Sequence, residues 1–218
     1  MSSEKIKNYI NTNRRDFSNQ PFSKEMALDN PIKQYEKWFD EALKSNILDP
    51  YAACLSTVDE SGKPSSRILY IRDIILDGFI FYTNYNSSKG SDINHNEYAS
   101  LNVFWGELER QIRIQGIINK VDDSISNKYF SSRPRASQIG AWASKQSQKI
   151  KNRFELESNI KYYEQKFKNK DVSRPPHWGG YCLTPTLLEF WQGRSSTLHD
   201  RIVYTKDNNQ WSKSRLSP

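Results

Sequence analysis

Between residues 51 and 121 the chain is written in short runs of β-branched and aromatic residues, at 51–58, 66–72, 79–83, 100–105 and 111–121. Turn chemistry, Glu60-Ser61-Gly62-Lys63, divides the first two. Runs of this length bounded by turn residues predict strands of an antiparallel sheet. Three more follow late in the chain, at 181–191, 201–204 and 210–215. Helical patterns flank and interrupt this series. Asn30-Pro31 opens one through about residue 45, with Ile32, Tyr35, Phe39 and Leu43 at helical spacing. Asp122 caps a second through Phe130, and further stretches cover 136–143 and 150–168, the last closed by Arg174-Pro175-Pro176. The order predicts an α+β fold, mainly antiparallel β: a barrel of six or more strands with peripheral helices. A single domain is expected over 21–218, preceded by a mobile polar arm over 1–20.

Composition narrows the partners. The net charge is +7, but Lys and Arg are interleaved with acids, apart from Arg14-Arg15 and Arg133-Pro134-Arg135. Scattered arginines suit small phosphorylated ligands better than nucleic acid, and no nucleic-acid-binding motif is present. Cys54 and Cys182 stand far apart in apolar segments and read as buried hydrophobes, not as a disulfide framework. No apolar run approaches membrane-spanning length and the first twenty residues lack a signal-peptide pattern, so the expected setting is the cytoplasm, with no membrane partner.

The familiar catalytic patterns are missing. There is no Gly-x-Ser-x-Gly, Cys-x-x-Cys, His-Glu-x-x-His, P-loop or dinucleotide glycine fingerprint, and three histidines make a metal site an unattractive reading. Three polar stretches remain. In the first, Arg67 on a strand is followed by Tyr82-Thr83 and Ser87-Ser88-Lys89-Gly90. A guanidinium fork, an ammonium and turn amides before a helix can cradle a phosphate; the plainer reading is a solvated strand-to-helix turn. In the second, Tyr129, Arg133 and Ser137 recur in steps of four, a second phosphate grip or a capped, solvated helix end. In the third, Trp191-Gln192-Gly193 precedes Leu198-His199-Asp200-Arg201, which can wall a flat ring, although His199 alone reads as an ordinary hydrogen-bonded histidine.

Together these stretches resemble the pyridoxamine 5'-phosphate oxidase family. The likeness is collinear from about Arg14 to Pro218 and rests on ordered pieces: 132–142 (SRPRASQIGAW), 144–147 (SKQS), 189–193 (EFWQG), 198–201 (LHDR) and 215–218 (RLSP). The resemblance implies an FMN-binding split barrel, homodimeric, with FMN at the subunit interface. It assigns FMN contacts to Arg67, Ile68, Leu69, Tyr82, Thr83, Lys89, Gln111, Gln146, Ser147, Trp191 and Arg201. Tyr129, Arg133 and Ser137, with Arg72 and Arg14, are assigned to the phosphorylated vitamin B6 substrate, and His199 to a place beside its pyridine ring as the catalytic side chain. The implied reaction oxidises pyridoxamine or pyridoxine 5'-phosphate to pyridoxal 5'-phosphate with dioxygen as acceptor, giving hydrogen peroxide. No metal is implied.

The departures from the family pattern bear on rate. Thr197 stands where the family has an arginine over the substrate ring, removing a charge-assisted contact of about 1.5–3 kcal/mol. Arg194 is the nearest candidate substitute. Arg72 replaces a lysine, Ser88 a phosphate-binding arginine and Phe17 a tyrosine of the arm that closes over the site. Two other readings therefore stand beside an active oxidase: an FMN-containing homologue that binds pyridoxal phosphate but turns over poorly, and an oxidase of another ring substrate.

Overall fold

The computed structural model describes residues 3–13, 15–75 and 78–218. Nine strands are described: β1 Ala52–Val58, β2 Pro64–Tyr70, β3 Asp73–Ile75, β4 Gly78–Asn84, β5 Tyr98–Trp105, β6 Arg110–Lys120, β7 Trp178–Gln192, β8 Asp200–Asp207 and β9 Gln210–Arg215. Six α-helices join them: α1 Ser3–Thr12, α2 Pro31–Leu43, α3 Ser88–His95, α4 Asp123–Ser132, α5 Arg135–Ala143 and α6 Arg153–Lys166. Strand order is β2-β1-β5-β6-β7-β4-β3, with β8 pairing β7 and β9 pairing β8; every described register is antiparallel. The class is the expected one, α+β and mainly antiparallel.

The chain divides into two compact units. The first, called here the pocket unit, comprises Tyr51–Val103 and Ile114–Thr186; the terminal unit comprises Met1–Pro50, Phe104–Arg113 and Leu187–Pro218. Strands β5, β6 and β7 pass from one to the other, so a sequence read as runs and turns gives no sign of the division.

In the pocket unit, alternation sets the faces of the sheet: Ala53, Leu55 and Thr57 of β1 are buried while their neighbours are not. Strand β4 instead reads as a nearly continuous apolar run and is covered on both sides. Helices α4–α6 pack through Phe130, Ile139, Phe167 and Trp178, with Tyr82 and Tyr129 against this cluster. Gly180, opposite Tyr82 in the β4–β7 register, is required by space: a Cβ there would lie 2.9 Å from the Tyr82 ring. Helix α3 escapes a propensity reading because Gly90, Asp92 and Asn94 are poor helix formers. It forms on the Ser87 cap, whose hydroxyl accepts from Gly90 N at 3.4 Å, and on buried Ile93.

In the terminal unit, α2 begins where Asn30-Pro31 predicts. The Asn30 side chain accepts from Ile32 N and Lys33 N, and Ile32, Tyr35, Trp38 and Ala42 are buried. Phe22, Trp38, Phe190 and Tyr204 form an aromatic core. Within the segment expected as an arm, residues 3–12 are helical and exposed, while the backbone N–H groups of Ser18 and Asn19 are bound by Glu109.

Candidate functional site

The residues singled out by sequence fall into two groups, one per unit, and Arg14 lies outside the described residues. In the pocket unit a cavity of about 1010 Å³ is lined by Ile68, Leu69, Arg72, Tyr82, Thr83, Tyr129, Arg133, Ser137 and Gln146, with Trp178 and others; among the described residues no acidic side chain lines it. The step-of-four reading needs a correction. Helix α4 ends at Ser132, Arg133 caps it with extended backbone (φ −72°, ψ 148°), and Ser137 belongs to α5. Pro134 enforces the break, because the residue before a proline is driven out of the helical region. The break, and not a shared helix face, puts the three on one cavity.

Arg133 is the most exacting member. Its guanidinium lies 4.4 Å from the Trp178 ring centre, and its Nη1 is buried without a hydrogen-bond partner among the described residues. An orphaned cationic donor is costly unless something accepts from it. Burial holds the Arg133 pKa below the ordinary arginine value, and the charge of Arg72 adds to the effect. Tyr129 stacks on Tyr82 at 3.8 Å and 6°, and Tyr82 on Trp178 at 5.6 Å and 9°. Burial, with Asp73 second, raises the Tyr82 hydroxyl to about 12, so it stays protonated at neutral pH.

Deeper in the same unit, Lys89 is buried on the first turn of α3. Its ammonium donates to Ser87 Oγ at 3.2 Å, Thr83 Oγ1 at 3.3 Å and Gln146 Oε1 at 3.4 Å, all neutral oxygens. Burial lowers its pKa first and the nearby Arg67 second, against the pull of Asp92. Arg67 donates to Thr57 Oγ1 at 2.6 Å and Ser65 Oγ at 2.5 Å; both hydroxyls in turn donate to buried Asp92, at 2.6 and 3.1 Å. Arg67 thus holds the Asp92 carboxylate, directly at 3.7 Å and through both hydroxyls, and Lys89 makes no ion pair with it. Ser147 adopts a left-handed backbone (φ 71°) directly after Gln146, which ties Thr83 and Lys89 together.

The terminal unit holds Gln111, Trp191, His199 and Arg201. Trp191 and His199 rings lie 4.7 Å apart, and Phe17 meets both edge-on at 5.5 and 5.4 Å. Gly193 leaves room for it, since a Cβ would sit 2.8 Å from that ring. His199 Nδ1 accepts from Arg194 N at 3.1 Å, so the neutral ring carries its proton on Nε2. The Arg194 side chain donates to Asn19 O at 2.5 Å and lies 3.6 Å from Asp200. Thr197 is exposed with φ 61°, an uncommon backbone for a β-branched residue. Arg201 donates to Glu189 at 2.8 Å, an ion pair that raises its pKa.

Two family models cover most of the chain: pyridoxamine 5'-phosphate oxidase over residues 39–167, and the pyridoxine 5'-phosphate oxidase C-terminal dimerisation region over 178–218. The chain belongs to the pyridoxamine 5'-phosphate oxidase family. It is an oxidoreductase family, and relatives named pyridoxine/pyridoxamine 5'-phosphate oxidase span the chain almost end to end. That of Cytophaga hutchinsonii is 49% identical over 94% of this chain and 96% of its own length, and that of Cyanothece sp. 46% over the same shares. Among solved structures, PhzG from Burkholderia lata, in complex with tetrahydrophenazine-1-carboxylic acid, superposes with a TM-score of 0.86. It is 29% identical and covers 92% of this chain and 99% of its own. A pyridoxamine 5'-phosphate oxidase-related, FMN-binding protein from Nostoc punctiforme shares the fold at a TM-score of 0.68 and 19% identity. The fold is the split barrel expected from the family resemblance. Among the described residues no helix is long and apolar enough to cross a membrane.

Sequence reasoning missed the carboxylates that anchor the arginines of the site and of the segment before α2. Asp92, Glu109 and Glu189 stand alone in the sequence; their partners come from 25 residues away (Asp92 to Arg67) up to 94 (Glu109 to Arg15), apart from the Glu189–Arg201 pair.

Proposed function

We propose that this protein is an FMN-dependent oxidase that converts pyridoxamine or pyridoxine 5'-phosphate to pyridoxal 5'-phosphate, using dioxygen and releasing hydrogen peroxide. It works as a homodimer with FMN at the subunit interface, in the cytoplasm. The observation that carries the reading is the buried Nη1 of Arg133, unpartnered among the described residues, on a cavity where none of those residues is acidic and stacked rings form a wall. A phosphate monoester supplies the acceptor that this donor lacks. Tyr129 and Ser137 add hydroxyl donors on the same cavity, and Arg72 adds charge.

A second phosphorylated ligand has its own fit. Lys89 has only neutral partners and stands beside Arg67, so the pair favours an anion; Thr83, Gln146, Ser147 and the β2 segment Ile68-Leu69 complete the set that would hold FMN. Held by these residues, FMN would supply the hydride acceptor for C4' of the substrate and the route by which the electrons reach dioxygen. The chain contributes orientation and electrostatics. Arg133, Tyr129 and Ser137 fix the substrate phosphate. Trp191, Gln111 and Arg201 are the ring contacts for the cofactor, and His199 presents a protonated Nε2 to the pyridine ring. The dimerisation-region match supports the homodimer.

One observation favours a slower enzyme. Arg194 is spent on Asn19 O and Asp200, so it does not stand in for the family arginine that Thr197 replaces. On the second reading the protein holds FMN and pyridoxal phosphate but oxidises poorly. The test is to purify the protein, measure bound flavin by absorbance, and follow peroxide release with each phosphorylated vitamer. Flavin uptake with turnover supports the oxidase, and uptake with pyridoxal phosphate binding but negligible peroxide supports the second reading. A protein that takes up no FMN sinks both. Turnover of an unphosphorylated ring alone would leave Arg133 unexplained and favour a different substrate.

A further inference from the structure

Glu189 lies in the terminal unit with its side chain only 4% exposed, yet it meets two guanidiniums. Its Oε1 accepts from Arg201 Nε at 2.8 Å and its Oε2 from Arg113 Nη1 at 2.9 Å. The strands explain the meeting. Along β7, Leu188 and Phe190 turn into the core, which puts Glu189 and Trp191 on the opposite face. Trp191 is paired in register with Arg201 of β8, so that side chain shares the face. On β6, Ile112 and Ile114 are buried, which places Gln111 and Arg113 on the other side of the strand. One face therefore gathers Arg113, Glu189, Trp191 and Arg201.

The charge count is uneven. One buried carboxylate faces two guanidiniums, 41% and 25% exposed, which leaves a single positive charge towards solvent. The carboxylate also fixes their planes: each guanidinium has spent one donor on it, Arg201 spends a second on Ser217 O at 2.8 Å, and the planar forks point the remaining donors elsewhere. A phosphate dianion is better served by the less compensated cations of the pocket unit. A half-neutralised, oriented pair beside an indole suits a flat ring whose edge carries neutral or weakly negative acceptors.

The geometry points to Arg113 as a further ring-binding residue: with Arg201 it forms a guanidinium pair, held by Glu189 as a positioning residue, that takes the acceptor edge of a flat ring lying against Trp191. This rests on the FMN reading above, the ring being the flavin.

The experiment titrates flavin-free protein with FMN and with riboflavin, which has the same ring and no phosphate, following the quenching of flavin fluorescence. Arg113→Ala is expected to raise both dissociation constants by about the same factor, roughly tenfold. Lys89→Ala should raise that of FMN alone. Glu189→Gln should act like Arg113→Ala, and the double variant should be little worse than either single one, because the two act on one contact. Arg113 reaches solvent, so its variant keeps the test open if Glu189→Gln fails to fold. If Arg113→Ala weakens FMN but not riboflavin, the pair reads the phosphate and the assignment is wrong. If it lowers only the melting temperature of the flavin-free protein, the contact is structural and the inference fails while the FMN reading stands. A parent that takes up neither flavin overturns the cofactor reading and this inference with it.

Discussion

Both units set arginines against carboxylates, Arg67 with Asp92 and Arg174 with Asp123 in the pocket unit, but they differ in the cations left over. In the terminal unit the arginines come with carboxylates: Arg15 with Glu109, Arg110 with Glu41, Arg113 and Arg201 with Glu189, Arg194 and Arg215 with Asp200. In the pocket unit Arg72, Lys89 and Arg133 have no ion-pair partner among the described residues; they sit against rings or neutral oxygens. Pairing fixes a scaffold, whereas a cation left unpaired under burial stores an unfavourable desolvation that an incoming anion relieves. On the proposed function Arg72, Lys89 and Arg133 are the positions that would receive an anion, whereas the Glu41, Glu109 and Asp200 pairs hold the fold and the Glu189 pair both holds the fold and would orient a ring.

Breaking the contrast at its sharpest point means removing Arg133. Arg133→Ala is expected to lower kcat/KM for a phosphorylated vitamer by as much as about a hundredfold, with FMN affinity little changed. Steady-state peroxide assays and flavin titration check the two halves. Equal loss towards a substrate lacking phosphate would place the role of Arg133 elsewhere.

In the terminal unit the damage should be to stability. Asp200 is buried, accepts from Phe22 N at 3.0 Å and pairs with Arg194 and Arg215. Asp200→Asn is expected to cost about 2 kcal/mol in denaturant unfolding, less than for a fully buried pair because both arginines reach solvent. A stable Asp200→Asn protein would undo the scaffold half of the comparison.

Lys89→Ala should raise the FMN dissociation constant about tenfold without lowering the melting temperature of the flavin-free protein, since the lost charge had no anionic partner. The sign of its pH dependence follows. A lysine whose folded pKa is lowered favours the unfolded state while both states would be charged. Flavin-free protein therefore gains stability as pH rises from that lowered pKa towards the ordinary value of 10.5, and Lys89→Ala abolishes this gain. Unfolding curves across the alkaline range, with parent and variant compared, decide it.

The smallest effect concerns the ring wall. Thr197→Arg is expected to raise kcat/KM by about tenfold or less, because Arg194 is already committed and the left-handed backbone at 197 limits how a longer side chain enters. If Arg194→Ala proves more damaging than Thr197→Arg is helpful, Arg194 does reach the ligand.

Much of this was legible in the residues themselves. The strand runs announced the sheet, Asn30-Pro31 the start of α2, and the ordered motifs the family. Local signals act over a few residues, and these elements depend on little else. The helix break at Arg133-Pro134 was also written there, in a proline that a count of four-residue steps overlooks. The anchoring role of Asp92, Glu109 and Glu189 was not legible: a lone acid does not reveal which distant arginine it will meet. Nor was the orphaned Nη1 of Arg133, since burial without a partner is a property of the packed chain.

The cluster of near-parallel rings in the pocket unit has an optical consequence. Trp178 lies 5.6 Å from the Tyr82 ring, 6.3 Å from the Tyr129 ring and 4.4 Å from the Arg133 guanidinium, and Tyr129 stacks on Tyr82 at 3.8 Å. Parallel aromatic transitions this close couple to one another and give near-ultraviolet circular dichroism that the separate rings would not. A cation over an indole shifts its emission. An anion that drew the Arg133 guanidinium from the Trp178 face would change both signals without any label, giving a spectroscopic gauge of whether the cavity is filled.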